Sequence, residues 1–159
     1  MKTYMPWLGL LSRLVLGGVL LAAGLLKYQH LDKSQMAVRA YEMLPISVAN
    51  FIGIVLPFAE IGMGLLLILG AATRISAALS ALLMAVFVIG ISQAWARGLS
   101  IDCGCFGGGG QVEPGTASYL PELLRDAGLA ALGIYLFRFP QSKFALDKSP
   151  QSPNLEKGI

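Results

Sequence analysis

The two cysteines of this chain stand one residue apart in a glycine-rich segment, 101–110. Cys103 and Cys105 flank Gly104, and a run of glycines follows at 107–110. Thiolates are the nucleophiles of disulfide exchange. Extended residues i and i+2 have Cα atoms about 6–7 Å apart, at the upper edge of disulfide reach, and a glycine between them lets the ring close. The spacing predicts a strained, redox-active dithiol, because a structural disulfide would join distant segments.

Metal binding and hydrolysis are the competing chemistries for these residues. Two thiolates and His30, the only histidine, could hold zinc or copper. No second cysteine pair completes a four-ligand set, so we expect no metal. The run 107–110 lacks the Lys-Ser/Thr of a phosphate loop, and we interpret it as flexibility that lets a partner reach the sulfurs. A hydrolytic triad is excluded because no histidine lies near a nucleophile.

The rest of the chain consists mainly of apolar runs. Of 159 residues, 55% are hydrophobic and 13% charged, whereas soluble domains average about 25% charged residues. The runs at 6–27, 48–69, 75–96 and 119–139 can each cover about 30 Å of bilayer as a helix. The sequence therefore predicts an all-α integral membrane protein, an antiparallel four-transmembrane-helix bundle over 1–139, with a polar, disordered tail at 140–159. The first run competes with a cleaved signal peptide, but it is long and contains Arg13. The net charge of +3 forms no basic stripe for nucleic acid.

The segment between the first two runs, residues 30–47, is too long for a tight turn. Its portion 35–41 has helical propensity and is stopped by Pro45. We expect a short interfacial helix there, on the same side as the cysteine loop, where it could roof that loop. Six Lys or Arg residues on the side of the termini face four on the other side. This bias predicts cytoplasmic termini and an extracytoplasmic cysteine loop, in a compartment where disulfides persist.

Several ionisable side chains fall within the predicted spans: Arg13, Lys27, Glu60, Glu122, Arg125 and Asp126. Such groups are costly in a bilayer and are normally paired. From their depth, we expect Arg13 to pair with Glu60, and Lys27 to join Glu122 and Asp126 near the cysteine loop. A cation beside a thiol lowers its pKa, so the outer cluster is predicted to tune the thiols or relay a proton. The alternative is that these pairs only fix the register of the helices.

Together these patterns resemble the MauE/DoxX group of four-helix bacterial membrane proteins, over residues 6–138. The resemblance is carried by Arg13-Leu14-x-Leu16-Gly17, Gly24-x-x-Lys27, Tyr41-x-x-Leu44-Pro45, Pro57-x-x-Glu60-x-x-x-Gly64, Asp102-Cys103-Gly104-Cys105-Phe106-Gly107 and Arg125-Asp126. The Cys-Gly-Cys-Phe-Gly string points to the MauE branch. The resemblance implies a redox-associated protein of the bacterial inner membrane that works with a thioredoxin-like partner. It does not imply methylamine use.

Two functional hypotheses follow. In the first, Cys103 and Cys105 exchange electrons with an extracytoplasmic thioredoxin-fold or client protein, which would make the chain a thiol–disulfide oxidoreductase. The architecture also resembles quinone-linked disulfide generators, which use two cysteine pairs. This chain has one pair, so no cofactor is evident, and a quinone carrier is compatible with the sequence without being required. In the second hypothesis, the chain is a non-catalytic accessory subunit of a larger membrane (respiratory or oxidoreductase) complex.

Overall fold

A computed structural model describes residues 5–140 and Leu146 of the chain. This part folds into α1 (Met5–Tyr28), α2 (Leu31–Ala40), α3 (Ile46–Leu69), α4 (Thr73–Ala96), a hairpin of β1 (Ile101–Asp102) and β2 (Gly110–Gln111), and α5 (Tyr119–Arg138). The three helices α1, α3 and α4 are long and apolar enough to cross a membrane. The α5 helix is long as well, but it carries charged residues near its start. The all-α membrane class is thus confirmed. Apart from Pro140 and Leu146, the predicted tail lies outside the described residues.

The four long helices pack side by side as a ring, in which α1 contacts α3, α3 contacts α4, α4 contacts α5 and α5 contacts α1. Small residues set the closest approach. A Cβ on Gly17 would lie 3.0 Å from the carbonyl oxygen of Gly64, and one on Gly24 would lie 2.8 Å from that of Pro57. The second contact lies seven residues later on α1 but seven residues earlier on α3. The two helices are antiparallel, and their glycines bring the backbones together.

Apolar side chains occupy both the inside and the outside of the bundle. The buried cluster consists of Leu16, Leu20, Leu67, Ala77, Met84, Leu129 and Leu136. On the outer surface, Phe51, Leu82, Ile89 and Leu124 are each more than 60% exposed. A soluble protein rarely leaves so many large apolar side chains in water. The outer surface is therefore suited to contact with lipid chains.

The short helix α2 is held against α3 at a point where the α3 backbone lacks one internal hydrogen bond. Pro57 has no N–H, so it cannot donate to the carbonyl of Gly53 four residues earlier. The hydroxyl of Ser34 on α2 donates to that carbonyl, at 2.7 Å in a buried position. A Cβ on Gly53 would meet the backbone of Gln35 at 2.6 Å. The proline frees an acceptor and the glycine makes room, and together they dock α2.

The β1–β2 hairpin was not predicted from the sequence. It is antiparallel, with Ile101 opposite Gln111 and Asp102 opposite Gly110. Both strands contact α2. At the start of α5, the hydroxyl of Tyr119 accepts a hydrogen bond from the Ile101 N–H at 3.2 Å and donates to the carbonyl of Leu99. The hairpin thus ties the cysteine segment to α5 on one side and to α2 on the other.

Candidate dithiol site

The turn between the two cysteines is fixed by its neighbours. The carboxylate of Asp102 accepts a hydrogen bond from the Gly104 N–H at 2.9 Å. Gly104 has φ +70, and a Cβ there would collide with the Cβ of Ala37 on α2. Gly109 also lies against Ala37 and has a positive φ. Flexibility is therefore not the role that the structure indicates for these glycines, because they permit left-handed backbone and close packing under α2.

Both thiols are free, and both are buried. Cys103 is 8% exposed and Cys105 is 6% exposed, in a cluster with Ile91 of α4. Tyr41 packs against this cluster, and its hydroxyl donates to the carbonyl of Cys103 at 3.3 Å. α2 and the residues that follow it cover the turn, as the short helix predicted between the first two apolar runs was expected to do. A macromolecular partner can reach the sulfurs only after this cover moves.

Cys103 is surrounded by hydrogen-bond donors. Its sulfur accepts from the Cys105 N–H at 3.3 Å and from the Nη2 of Arg125 at 3.8 Å. These donors stabilise a thiolate. The pKa of Cys103 is lowered, first by hydrogen bonding from the Cys105 thiol, then by the Cys105 N–H and by Arg125, while burial and the charge of Glu122 oppose the shift.

Cys105 has the opposite environment. Its thiol donates toward the Oδ2 of Asp126 at 3.9 Å and toward the carbonyl of Cys103 at a similar distance. The pKa of Cys105 is raised, chiefly because its thiol donates to Cys103, and further by burial and by the negative charges of Cys103 and Asp126. Two thiols of similar burial therefore differ in chemistry, since the surroundings of Cys103 lower its pKa and those of Cys105 raise its pKa.

Arg125 connects the two environments. Its Nε donates to the Oδ1 of Asp126 at 2.8 Å while its Nη2 faces Cys103. The guanidinium also lies 4.8 Å from the ring centroid of Phe106, the residue that follows the second cysteine. The planar arginine fork can satisfy all of these contacts at once. Arg125 and Asp126 thus stand where the sequence predicted them, beside the dithiol.

The predicted pairing of the other charges is wrong in two respects. Lys27 binds Glu60 at 2.6 Å, with both side chains buried, and so does not use Glu122 or Asp126 as its direct partner. Arg13 does not pair with Glu60, because its Nη2 donates to the carbonyl of Ile68 at 3.2 Å. The antiparallel register of α1 and α3 places Arg13 opposite the end of α3. The relative depth of Arg13 and Glu60 was inferred wrongly from the sequence, because it depends on this register.

Arg13 accordingly lies away from the dithiol, about 21 Å along α1 from Lys27 at 1.5 Å per residue. Lys27 and Glu60 lie closer to the site. Lys27 acts electrostatically on Cys105, and Asp126 acts on Glu60. The Nζ of Lys27 also lies 5.2 Å from the ring centroid of Phe87 on α4. The structure therefore brings five of the six predicted charges toward the cysteines and leaves Arg13 at the other end of its helix.

Comparison with known proteins places this arrangement in a family. The family model described as "Methylamine utilisation protein MauE" matches residues 5–139. The chain belongs to the MauE family. No curated protein and no solved structure matches it. The resemblance stated from the sequence motifs is confirmed, and the match covers all five helices together with the dithiol turn.

One group of side chains in this MauE-family protein has the geometry of a cation site. Ligand atoms of Asp102, Cys103 and Glu122 lie within 4.8 Å of one another. His30, the third ligand considered from the sequence, is exposed and does not belong to this group. The guanidinium of Arg125 already brings a positive charge to Cys103. The group thus offers one sulfur and two carboxylates beside the Arg125 guanidinium. This combination of ligands matches no common soft-metal site.

Sequence reasoning missed several residues that shape this MauE-family site. Asp102 was identifiable, because Asp two residues before a glycine is a common turn signal. The need for a donor such as Ser34 was also predictable, because Pro57 leaves the Gly53 carbonyl without its helical hydrogen bond. The contact of Tyr41 with Cys103 had no local signal in the sequence. Tyr119 likewise contacts residues 18 and 20 positions away.

Proposed function

We propose that this MauE-family protein is a membrane thiol–disulfide redox protein, and that its Cys103-Gly104-Cys105 turn exchanges electrons with an extracytoplasmic thioredoxin-fold or client protein. The observation that carries the proposal is the difference between the two thiols. Cys103 receives hydrogen bonds from the Cys105 N–H and from Arg125, whereas Cys105 faces the carboxylate of Asp126. A reactive dithiol needs one thiol that attacks as a thiolate and a second that resolves the mixed disulfide. A structural pair has no need of this difference.

The exchange has a defined order under this proposal. The Cys103 thiolate attacks a partner disulfide, forms a mixed disulfide and releases one partner thiolate. Cys105 then attacks the sulfur of Cys103, closes the intramolecular disulfide and releases the second partner thiolate. Two electrons pass from the dithiol to the partner disulfide, and the Cys105 proton must be accepted by a base. The same steps in reverse oxidise a partner dithiol.

The membrane arrangement that we propose has four spans. The ring of α1, α3, α4 and α5 supports it, since α5 has 20 residues and could cover about 30 Å. Arg125 and Asp126 in the first part of α5 contact each other and the two cysteines rather than the lipid face. In this arrangement α2 lies at the extracytoplasmic surface of the bacterial inner membrane, above the dithiol, and the termini are cytoplasmic. Partner access then requires α2 to move.

Trapping of the mixed disulfide tests the proposal. Replacement of the resolving thiol, Cys105→Ser, should let Cys103 accumulate a covalent adduct with an oxidised thioredoxin-fold protein when the full chain is in lipid nanodiscs. Cys103→Ser is the matched control, and it should give much less adduct at neutral pH, because burial and the charge of Asp126 still raise the pKa of the remaining thiol. If neither variant forms an adduct and both support cell function like the unsubstituted chain, the chain is an accessory subunit and the proposal is wrong.

A separate measurement tests whether the dithiol passes its electrons to a quinone. Reduced protein in nanodiscs is mixed with a soluble quinone, and the thiol content is counted with time. Loss of two thiols per quinone reduced would support a quinone carrier at this site. Thiols that stay reduced with quinone but oxidise with the partner disulfide would limit the function to exchange between proteins.

A further inference from the structure

The resolving thiol has an unmet chemical requirement. Cys105 must lose its proton before it can attack the mixed disulfide, yet its pKa is raised by its neighbours and by burial. Because the thiol is only 6% exposed, bulk water has little access to it. A base within the protein would have to accept the proton. Such a base must be a side chain in contact with the Cys105 sulfur.

Asp126 has the geometry for this task. It is 2% exposed, and its Oδ2 lies 3.9 Å from the Cys105 sulfur. Its other oxygen, Oδ1, is held by the Nε of Arg125 at 2.8 Å. One carboxylate oxygen is thus fixed by a cation while the second is directed at the thiol. A carboxylate that served only to neutralise Arg125 would not need its second oxygen at the sulfur.

We propose that Asp126 is the catalytic base that takes the proton from Cys105 when the intramolecular disulfide closes, and returns it when the disulfide opens. This inference rests on the proposed function and assigns one step within it. Asp126 Oδ2 accepts the proton, the Cys105 thiolate forms the new S–S bond with Cys103, and the bond from Cys103 to the partner sulfur breaks. The electron pair of that broken bond leaves on the partner thiolate, which is the reduced product.

The charged and titratable groups around Asp126 come from every element packed near it: Arg125 and Glu122 on α5, Cys103 and Cys105 in the turn, Tyr41 after α2, and Glu60 on α3. Lys27 on α1 neutralises Glu60 through their 2.6 Å ion pair. Arg125 is the only one of these groups for which the structure gives a direct contact with a carboxylate oxygen of Asp126 besides the thiol. When Asp126 is protonated, Arg125 loses its negatively charged partner. Recovery of this ion pair favours later release of the proton from Asp126.

The test separates the two thiol steps in time. The full chain in nanodiscs is reduced and mixed with 5,5′-dithiobis(2-nitrobenzoate), a small aromatic disulfide that releases a coloured thiolate at each step. The first release reports attack by Cys103, and the second reports closure by Cys105. Because the second step is intramolecular, its rate does not depend on how the reagent reaches the site. We expect Asp126→Asn to slow the second release by about 100-fold and to leave the first release within a few-fold, since general bases contribute about 10²–10⁴.

Controls distinguish a base from a structural residue. Glu113→Gln alters an exposed carboxylate in the segment between β2 and α5 and should change neither release. Asp126→Glu should recover part of the second rate. In Asp126→Asn, the second rate should rise about tenfold per pH unit, because closure would then follow the free thiolate fraction of Cys105; the unsubstituted chain should show a weaker dependence.

Each outcome has a separate meaning. If the unsubstituted chain gives no first release, the proposed function is wrong. If both releases occur and Asp126→Asn leaves the second unchanged, the function stands and the assignment of Asp126 is overturned. Should that variant not fold, a solvent deuterium isotope effect on the second release of the unsubstituted chain decides the matter, since its absence would contradict proton transfer in the closing step.

Discussion

Removal of one hydroxyl should uncover the dithiol. Ser34 on α2 donates the buried 2.7 Å hydrogen bond to the Gly53 carbonyl, which Pro57 leaves without its helical donor. In Ser34→Ala that carbonyl loses its partner, at a cost of about 1–3 kcal/mol to the closed position of α2. When α2 lifts, the carbonyl is no longer buried, so the open position does not bear this cost. Since about 1.4 kcal/mol corresponds to tenfold, the open population should rise about 5- to 150-fold.

Alkylation of the reduced thiols by a maleimide-linked polyethylene glycol measures this opening, because the polymer cannot react with thiols buried under α2. The rate for Ser34→Ala in nanodiscs should exceed that of the unsubstituted chain by the same factor, while the rates in denaturant stay equal. Ser80→Ala is the matched control, because its hydroxyl makes a 2.7 Å bond to the Ser76 carbonyl within α4 and does not contact α2. Equal rates for Ser34→Ala and the unsubstituted chain would refute the idea that α2 controls access.

Three further changes probe the charges and the turn. Arg125→Gln should raise the pH midpoint for alkylation of Cys103 by about 1 pH unit, because it removes the guanidinium that lies 3.8 Å from the Cys103 sulfur and favours its thiolate. The alkylation rate should fall as the pH drops through that midpoint. Lys27→Met leaves Glu60 buried without its cation and should lower the free energy of unfolding by about 3–5 kcal/mol. The double variant Lys27→Met with Glu60→Gln should regain much of this loss. Thermal melting in detergent measures both effects. Gly104→Ala should lower the melting temperature more than Gly98→Ala, because both glycines have φ +70 but only the first lies against α2.

The helices of this protein were predictable because each apolar run is long and ends at a charged or turn-forming residue. The run predicted at 48–69 became α3, Ile46–Leu69. The rotation and register of neighbouring helices were not predictable. Lys27 and Glu60 therefore lay on the correct faces but were assigned to the wrong partners. Pairing depends on the offset between helices, which no local pattern specifies.

A short helix that could roof the cysteine loop was predicted, but the contacts that bury the two thiols were not, for a related reason. The cysteine spacing and the glycines indicated a tight turn, but the cover over that turn comes from α2, more than 60 residues earlier in the chain. The contact from the Tyr41 hydroxyl to Cys103 and the packing of Ala37 against Gly104 are both of this long-range kind. Local chemistry was thus readable from the sequence, whereas solvent access depended on tertiary packing.

The charge balance of the dithiol supports a function in which its redox state changes. Within the group of Cys103, Arg125 and Asp126, the reduced form with a thiolate carries one surplus negative charge in a buried site. Closure of the disulfide removes the charge of the thiolate, and release of the proton from Asp126 restores the neutral pair with Arg125. The hydrogen bonds from the Cys105 N–H and from Arg125 offset the surplus charge of the reduced form. A buried dithiol with no redox role would stay protonated and neutral, so donors that favour a thiolate are best explained by a thiol that must attack.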